Sequence, residues 1–286
     1  MESIGLVIRR ESEFCQPIVR QLWEYLKDLK KEIYLEDRVA EMLELKTFKK
    51  FHIGRTKVDM IITLGGDGTI LRVARKLRHF DTRILGINIG TLGFISDVPP
   101  ARAIATLERI FAGDYTLDRR CMLEVTVHRG KKEIGHYQAL NEAVISQGTL
   151  ARLISLRAQV NGRRLTTYHA DGLMVATPTG STAYNLAAGG PIVYPTLAAF
   201  IVTPICPHSF MQKPIVIPDH KKIDIVIESD EKRMIVTLDG QNSYEVRKGD
   251  RIRIQKGPVV TFVRLPGESY FETLRHKLHW GEKPKE

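Results

Sequence analysis

Gly65-Gly66-Asp67-Gly68-Thr69 is the densest chemical signal in the chain, set between an apolar run (Val58 to Leu64) and a helical pattern. Glycines there let the backbone turn and approach a ligand with no Cβ in the way. The helix that follows directs its free N–H groups and positive dipole end at the same place, which suits phosphate. A carboxylate inside a phosphate loop repels that ligand, so Asp67 needs another role: a base toward a hydroxyl, a metal ligand, or an acceptor from a ribose. The plain alternative is a strand-to-helix turn in which Asp67 or Thr69 caps the helix. A Walker A loop and a dinucleotide fingerprint are both excluded. No lysine follows the glycines, and Gly86, Gly90 and Gly93 in the next glycine-rich segment have the wrong spacing. That segment either walls the same crevice or is a turn.

Further along, Asn141-Glu142 lies between two apolar runs. Its matched donors and acceptors suit an adenine amine or ribose hydroxyls, although an exposed strand end explains the pair equally well. Arg152, His169 and Asp171 could add charge around a phosphate or a pyridinium. From Gly172 to Gln212 there is no Lys, Arg, Asp or Glu. Within this stretch Thr177, Thr179, Ser181 and Thr182, with Pro178 and Gly180, make a polar turn at the start of a short helical pattern through Asn185. It is read either as a second phosphate or ribose site or as a capped helix in the core of a β domain. Five prolines and Gly189-Gly190 interrupt every window of roughly 20 residues that a spanning helix would need, so the stretch reads as interior and not as membrane.

These residues need a scaffold. Ile4–Ile8, Val58–Leu64 and Ile84–Ile89 read as strands. Helical spacing follows at Ile18, Leu22, Tyr25, Leu26 and Leu29, again at Ile70–Leu77, and at Ala103–Phe111. Strand and helix in alternation imply a parallel sheet covered on both faces. From about Leu117 the runs become short and partly alternating, separated by Asn161-Gly162, Asp239-Gly240 and Lys248-Gly249-Asp250, as expected of an all-β domain. Tyr270–Leu278 is a closing helix expected to pack on the first half. The predicted organisation is a Rossmann-like parallel α/β domain over 1–116, joined by a helix at about 268–280, and a β-sandwich-like domain over 117–267.

The 286 residues are 43% apolar and 27% charged, an ordinary globular mix. Three scattered cysteines and no CxxC pair exclude a disulfide scaffold and a structural zinc site of usual spacing. The start Met-Glu-Ser-Ile has no signal-peptide pattern, and a soluble, cytoplasmic protein is expected. The formal net charge of +10 favours anionic partners. Basic residues are nonetheless spread out and aromatics are only 7%, so no nucleic-acid face is expected.

In their order along the chain, GGDGT with Leu71-Arg72, IGTLGF, Asn141-Glu142 and DGLMVATPTGSTAYNLAAGGPIV resemble the NAD kinase family, as do Asp239-Gly240-Gln241 and the closing YFETLRHKLHWG. The loop alone is shared with diacylglycerol and sphingosine kinases; the combination is far more specific. The resemblance implies transfer of the γ-phosphoryl of ATP, or of polyphosphate, to the adenosine ribose 2′-hydroxyl of NAD. It casts Asp67 as the proton acceptor and Gly65, Gly66, Gly68 and Thr69 as the phosphate loop. Its NAD-contacting positions match Asp67, Gly68, Arg72, Asn141, Glu142, Arg152, His169, Asp171, Thr182, Ala183, Tyr184, Asn185, Leu186, Ala187 and Gln241. It also implies magnesium brought with ATP and not held in a dedicated protein site, and a homodimer or homotetramer in which one subunit helps complete a neighbour's site. A GGDG-type lipid kinase and a non-catalytic NAD-binding sensor are the competing readings.

Overall fold

The computed structural model describes residues 1–9, 15–91, 93–147, 153–230, 234–267 and 269–280. The chain forms two compact units, Met1–Arg119 with Val260–Glu286, and Arg120–Val259. The second boundary thus falls inside a strand, ahead of the turn and helix where the sequence pattern puts it.

In the first unit the elements run β1 (Ser3–Ile8), α1 (Gln16–Asp28), β2 (Glu32–Leu35), α2 (Asp37–Met42), β3 (Lys49–Lys50), β4 (Met60–Gly65), α3 (Asp67–Lys76), β5 (Arg83–Asn88) and α4 (Ala103–Phe111). The sheet order is β5-β4-β1-β2-β3 and every pairing is parallel. β1, β4 and β5 are almost wholly buried, which is why they read as unbroken apolar runs and not as alternation. Helix α1 turns Ile18, Val19, Leu22 and Leu26 into the core at helical spacing, alongside Ile4, Leu6, Ile62 and Leu85. The sheet order reverses between β1 and β4. A crevice outside the carboxyl ends of the strands at such a reversal is where ligands bind in open α/β sheets. Gly65 is the last residue of β4, so the GGDGT loop lies there.

The second unit begins within β6 (Thr116–Arg129) and continues through β7 (Lys132–Ala139), β8 (Glu142–Gln147), β9 (Ile154–Val160), β10 (Arg163–Ala170) and β11 (Gly172–Ala176). A short helix α5 (Tyr184–Ala187) precedes β12 (Ala199–Ile205), β13 (Ile215–Pro218), β14 (Ile223–Ile227), β15 (Met234–Leu238), β16 (Asn242–Val246) and β17 (Arg251–Arg264). One sheet has the order β13-β12-β11-β8-β15-β16, with every neighbouring pair antiparallel. The other carries β10, β9, β14 and the first part of β17, with β6 and β7 alongside. Leu123, Ile145, Leu156, Val175, Phe200, Ile225, Val236 and Ile254 fill the space between the two sheets. The outer face of β8, β11 and β12 is covered as well, where Val144, Met174, Ala176 and Ile201 pack with Val193. Burial on both faces explains the charge-free stretch. Asn161-Gly162 has positive φ at both residues, as a two-residue hairpin turn demands, and joins β9 to β10; Asp239-Gly240, also at positive φ, opens the three-residue loop through Gln241 that joins β15 to β16.

The last part of β17 returns to the first unit, where Thr261 and Phe262 pair in parallel with Arg83 and Ile84 of β5. Helix α6 (Tyr270–Leu278) belongs to the same unit and buries Leu274. No described helix is long and apolar enough to cross a membrane.

Candidate active site

In the first unit the loop glycines have separate spatial reasons. A Cβ on Gly65 would lie 2.3 Å from Thr69 Oγ1, whereas one on Gly66 would meet nothing within 4 Å and faces open space. Asp67 is the first residue of α3, yet its carboxylate does not cap that helix. It reaches to the loop after β5. Asp67 Oδ2 accepts from Phe94 N–H at 2.8 Å, and Oδ1 accepts from Ile95 N–H (3.2 Å), Ser96 N–H (2.9 Å) and Ser96 Oγ–H (2.7 Å). The capping alternative is therefore set aside, and the second glycine-rich segment acquires a purpose. Gly93 must lack a side chain because a Cβ there would stand 2.0 Å from Asp67 Oδ1, and Gly86 makes room for Ser96 and Ile70. Asn88 ties the loop down by donating to the carbonyls of Thr91 (2.8 Å) and Ser96 (3.0 Å). Behind it, Arg264 pairs with both Asp97 and Asp118, and Lys277 Nζ of α6 lies 5.7 Å from the Phe94 ring centroid.

Arg72, expected at the nucleotide, is bound within the unit. Its guanidinium holds Glu36 through both carboxylate oxygens (2.8 and 3.0 Å) and donates to the Ile8 carbonyl at 2.8 Å. A phosphate would have to compete with Glu36 for it.

In the second unit Asn141 and Glu142 sit at the start of β8, both under a tenth exposed. Two scaffolds hold them. On one side Asp239, at the β15–β16 turn, accepts from the backbone N–H of Leu140 (3.1 Å), Asn141 (2.8 Å) and Glu142 (3.3 Å). On the other, Thr177 donates its hydroxyl to Leu140 O at 2.6 Å and its N–H to Asn141 O at 2.8 Å. Gly180 packs so closely on the Asn141 backbone that a Cβ would lie 2.2 Å from its carbonyl. With the backbone so occupied, Asn141 Oδ1 and Glu142 Oε2 are buried and have no hydrogen-bond partner. Buried polar atoms are nearly always paired, so two such orphans side by side mark a candidate ligand site. Burial, then the nearby Asp239 charge, pushes the Glu142 carboxyl up to about 8.

That shift has a measurable sign. The folded protein keeps a proton on Glu142 that the unfolded chain releases near 4.5, so stability falls as pH rises through about 8. Glu142→Gln is expected to flatten that decline. Thermal midpoints followed from pH 5 to 9 should fall less in the variant, by about 3 °C or more over the range. Parallel profiles would contradict the assignment.

Most hydroxyls of the polar turn are engaged within the fold. Ser181 Oγ donates toward Pro178 O (2.7 Å) and Val193 O (3.2 Å) and accepts from Val193 N–H. Thr177 is wholly buried, and the buried Arg120 donates to Thr179 Oγ1 at 3.3 Å. Thr182 Oγ1 donates to the Thr179 carbonyl at 3.5 Å. Asn185 is fully buried, both its donor hydrogens go to the carbonyls of Ser181 and Pro191, and its Oδ1 accepts from Thr203 at 2.7 Å. This turn packs against the Asn141 backbone, and neither of its two short helices has a side-chain cap. Tyr184 and Ala187 are exposed, and Ala183 and Leu186 are partly so. Gln241 is exposed just beyond the Asp239-Gly240 turn.

His169 and Asp171 are not brought to Asn141-Glu142. β11 runs from Gly172, opposite Ser146, to Ala176, opposite Glu142, so they lie at its far end, roughly 13 Å away at strand rise. There His169 Nδ1 contacts Ser155 Oγ at 2.8 Å. Arg152 lies outside the described residues. Sequence reasoning passed over Ser96, Asn88 and the supporting role of Asp239. The available signal for the last was a carboxylate in an Asp-Gly turn at the end of an apolar run.

A parallel α/β unit followed by a β-sandwich-like unit is also the fold of solved NAD kinases. An NAD kinase from Archaeoglobus fulgidus in complex with ATP has 29% identity and a TM-score of 0.74, over 97% of this chain and 98% of that one. Yeast NADH kinase complexed with NADH gives a TM-score of 0.90 at 24% identity, over 100% of this chain and 89% of that one, a likeness of fold. The chain belongs to the ATP-NAD kinase family: residues 4–115 match the ATP-NAD kinase N-terminal domain and residues 140–264 the C-terminal domain. Among relatives, the NAD kinase of Geotalea daltonii is 40% identical over 99% of this chain and 100% of its own. That of Geobacter sulfurreducens is 42% identical over 79% of this chain and 80% of its own.

Proposed function

We propose that the protein transfers the γ-phosphoryl of ATP, or a phosphoryl of polyphosphate, to the 2′-hydroxyl of the adenosine ribose of NAD, forming NADP. The observation that carries this reading is the buried Asn141-Glu142 pair, held on both sides through its backbone and left with two side-chain acceptors open. An adenine amine or a ribose hydroxyl supplies the donors it lacks. Asp67 takes the hydroxyl proton as the oxygen attacks the γ-phosphorus, the bond to the bridging oxygen breaks, and ADP leaves. Phosphoryl transfer has a loose transition state, so alignment and a proton acceptor are most of what the protein must supply. The nucleotide enters as its magnesium complex. The phosphates, and not a dedicated protein cage, supply many of the ion's ligands in this reading.

The protein acts, in this reading, in the cytoplasm as a homodimer or homotetramer. Tyr194, Leu197, Phe210, Met211, Ile215 and Val216 are exposed apolar side chains on and near the edge strand β13, a surface that self-association would cover. Sedimentation velocity should report a species of at least twice the monomer mass, and a monomer at micromolar concentration would contradict it.

The reaction is tested with γ-labelled ATP, or labelled polyphosphate, offered NAD, diacylglycerol or a sphingoid base as acceptor. Label is expected only in NADP. Label in a lipid would move the assignment to the lipid kinases. NAD binding without label in any acceptor would make the protein a sensor.

A further inference from the structure

Asp67 is clamped unevenly. Oδ1 accepts three hydrogen bonds and Oδ2 accepts one. A carboxylate oxygen offers about two lone-pair directions, so Oδ1 is fully subscribed and Oδ2 keeps one. The shortest of the four bonds comes from the Ser96 hydroxyl at 2.7 Å, and a second comes from the Ser96 N–H. Ser96 and Asn88 are 1% and 3% exposed, so water does not compete for these groups. Asn88 Nδ2, whose two hydrogens go to the carbonyls of Thr91 and Ser96, holds the Ser96 backbone in place. The missing Cβ of Gly93 is what lets Oδ1 reach the loop.

We propose that Ser96 is a positioning residue that fixes Asp67 through Oδ1 and leaves Oδ2 as the atom that takes the ribose proton. The inference rests on the reading of Asp67 as the proton acceptor. In the step, the ribose O–H bond breaks and its proton passes to Oδ2. The freed electron pair forms the new O–P bond as the γ-phosphorus parts from the bridging oxygen, which leaves on ADP.

Ser96→Ala, and Ser96→Cys as the variant of nearly equal size and weaker donor strength, test this beside Asp67→Asn. Both Ser96 variants are expected to lose roughly tenfold or more in kcat, the low end for a hydrogen bond to a charged group. The KM for NAD should stay within about twofold. That split, kcat falling while KM holds, is one that a general loosening of the loop would not produce. Thermal midpoints and NAD binding establish that each variant is folded. If the Ser96 variants keep wild-type kcat while Asp67→Asn is inactive, the inference about Ser96 is wrong and the role of Asp67 stands. An active Asp67→Asn enzyme would remove the reading beneath it.

Discussion

Asp67→Asn is expected to abolish at least about 100-fold of the turnover while the protein folds and still binds NAD. The amide keeps the size of the carboxylate and loses the capacity to take a proton. Its single oxygen can face the donors of Ile95 and Ser96, but its NH₂ then confronts the Phe94 N–H that Asp67 Oδ2 now accepts. A loss of stability is expected alongside, since charge-assisted bonds are replaced by neutral ones. kcat, the NAD dissociation constant by calorimetry and the thermal midpoint separate the two effects. A fall in kcat far larger than any change in NAD affinity identifies the acceptor. Near-normal turnover in the folded variant would refute that role.

Asp239→Ala carries the second large effect, on stability and binding together. Asp239 is 5% exposed and is the partner of three consecutive backbone N–H groups. Without it those groups are left unsatisfied in the interior, at about 1 kcal/mol or more each, so a loss of roughly 3 kcal/mol is expected in urea denaturation. Asn141 and Glu142 lose their alignment with it, and NAD affinity should fall at least about tenfold. Asp239→Asn keeps one acceptor oxygen and should lie between wild type and alanine on both measures. A variant with wild-type stability and affinity would show that the turn is held by other contacts.

The fold was legible wherever burial made a run uniformly apolar, as in β1, β4, β5, β8, β11 and β14, and where α1, α3 and α4 kept a helical stripe. It was not legible where one face is wet. β10 (RRLTTYHA) and β16 (NSYEV) are mostly exposed or half-exposed, and their residue types resemble a loop. β12 was hidden by Pro204, which the strand tolerates because β13 pairs only with Ala199–Val202 and ends before it. β17 runs unbroken through Gly257-Pro258, residue types that usually end a strand. A Cβ on Gly257 would press on the backbone of Leu123 and Glu124, which accounts for the glycine.

The candidate site divides the same way. Asp67, Asn141 and Glu142 stood out as polar groups flanked by apolar runs. Three of the four bonds that hold Asp67 come from backbone N–H 27 to 29 residues away, and main-chain donors carry no signature in residue type. The TPTGST hydroxyls were the converse case: their types suit a ligand, but their directions, set only by the packed turn, point into the fold. Arg72 similarly meets Glu36, a partner 36 residues upstream that spacing does not reveal.

The most direct test measures NADP formed from NAD and magnesium-ATP by the purified wild-type chain and by Asp67→Asn in parallel, with an NADP-specific dehydrogenase as the readout. The expected result is steady NADP production by the wild type and at least about 100-fold less from a folded, NAD-binding variant. Equal rates from the two would deny Asp67 its role, and no NADP from a wild-type chain that binds NAD, with either ATP or polyphosphate, would contradict the assigned reaction.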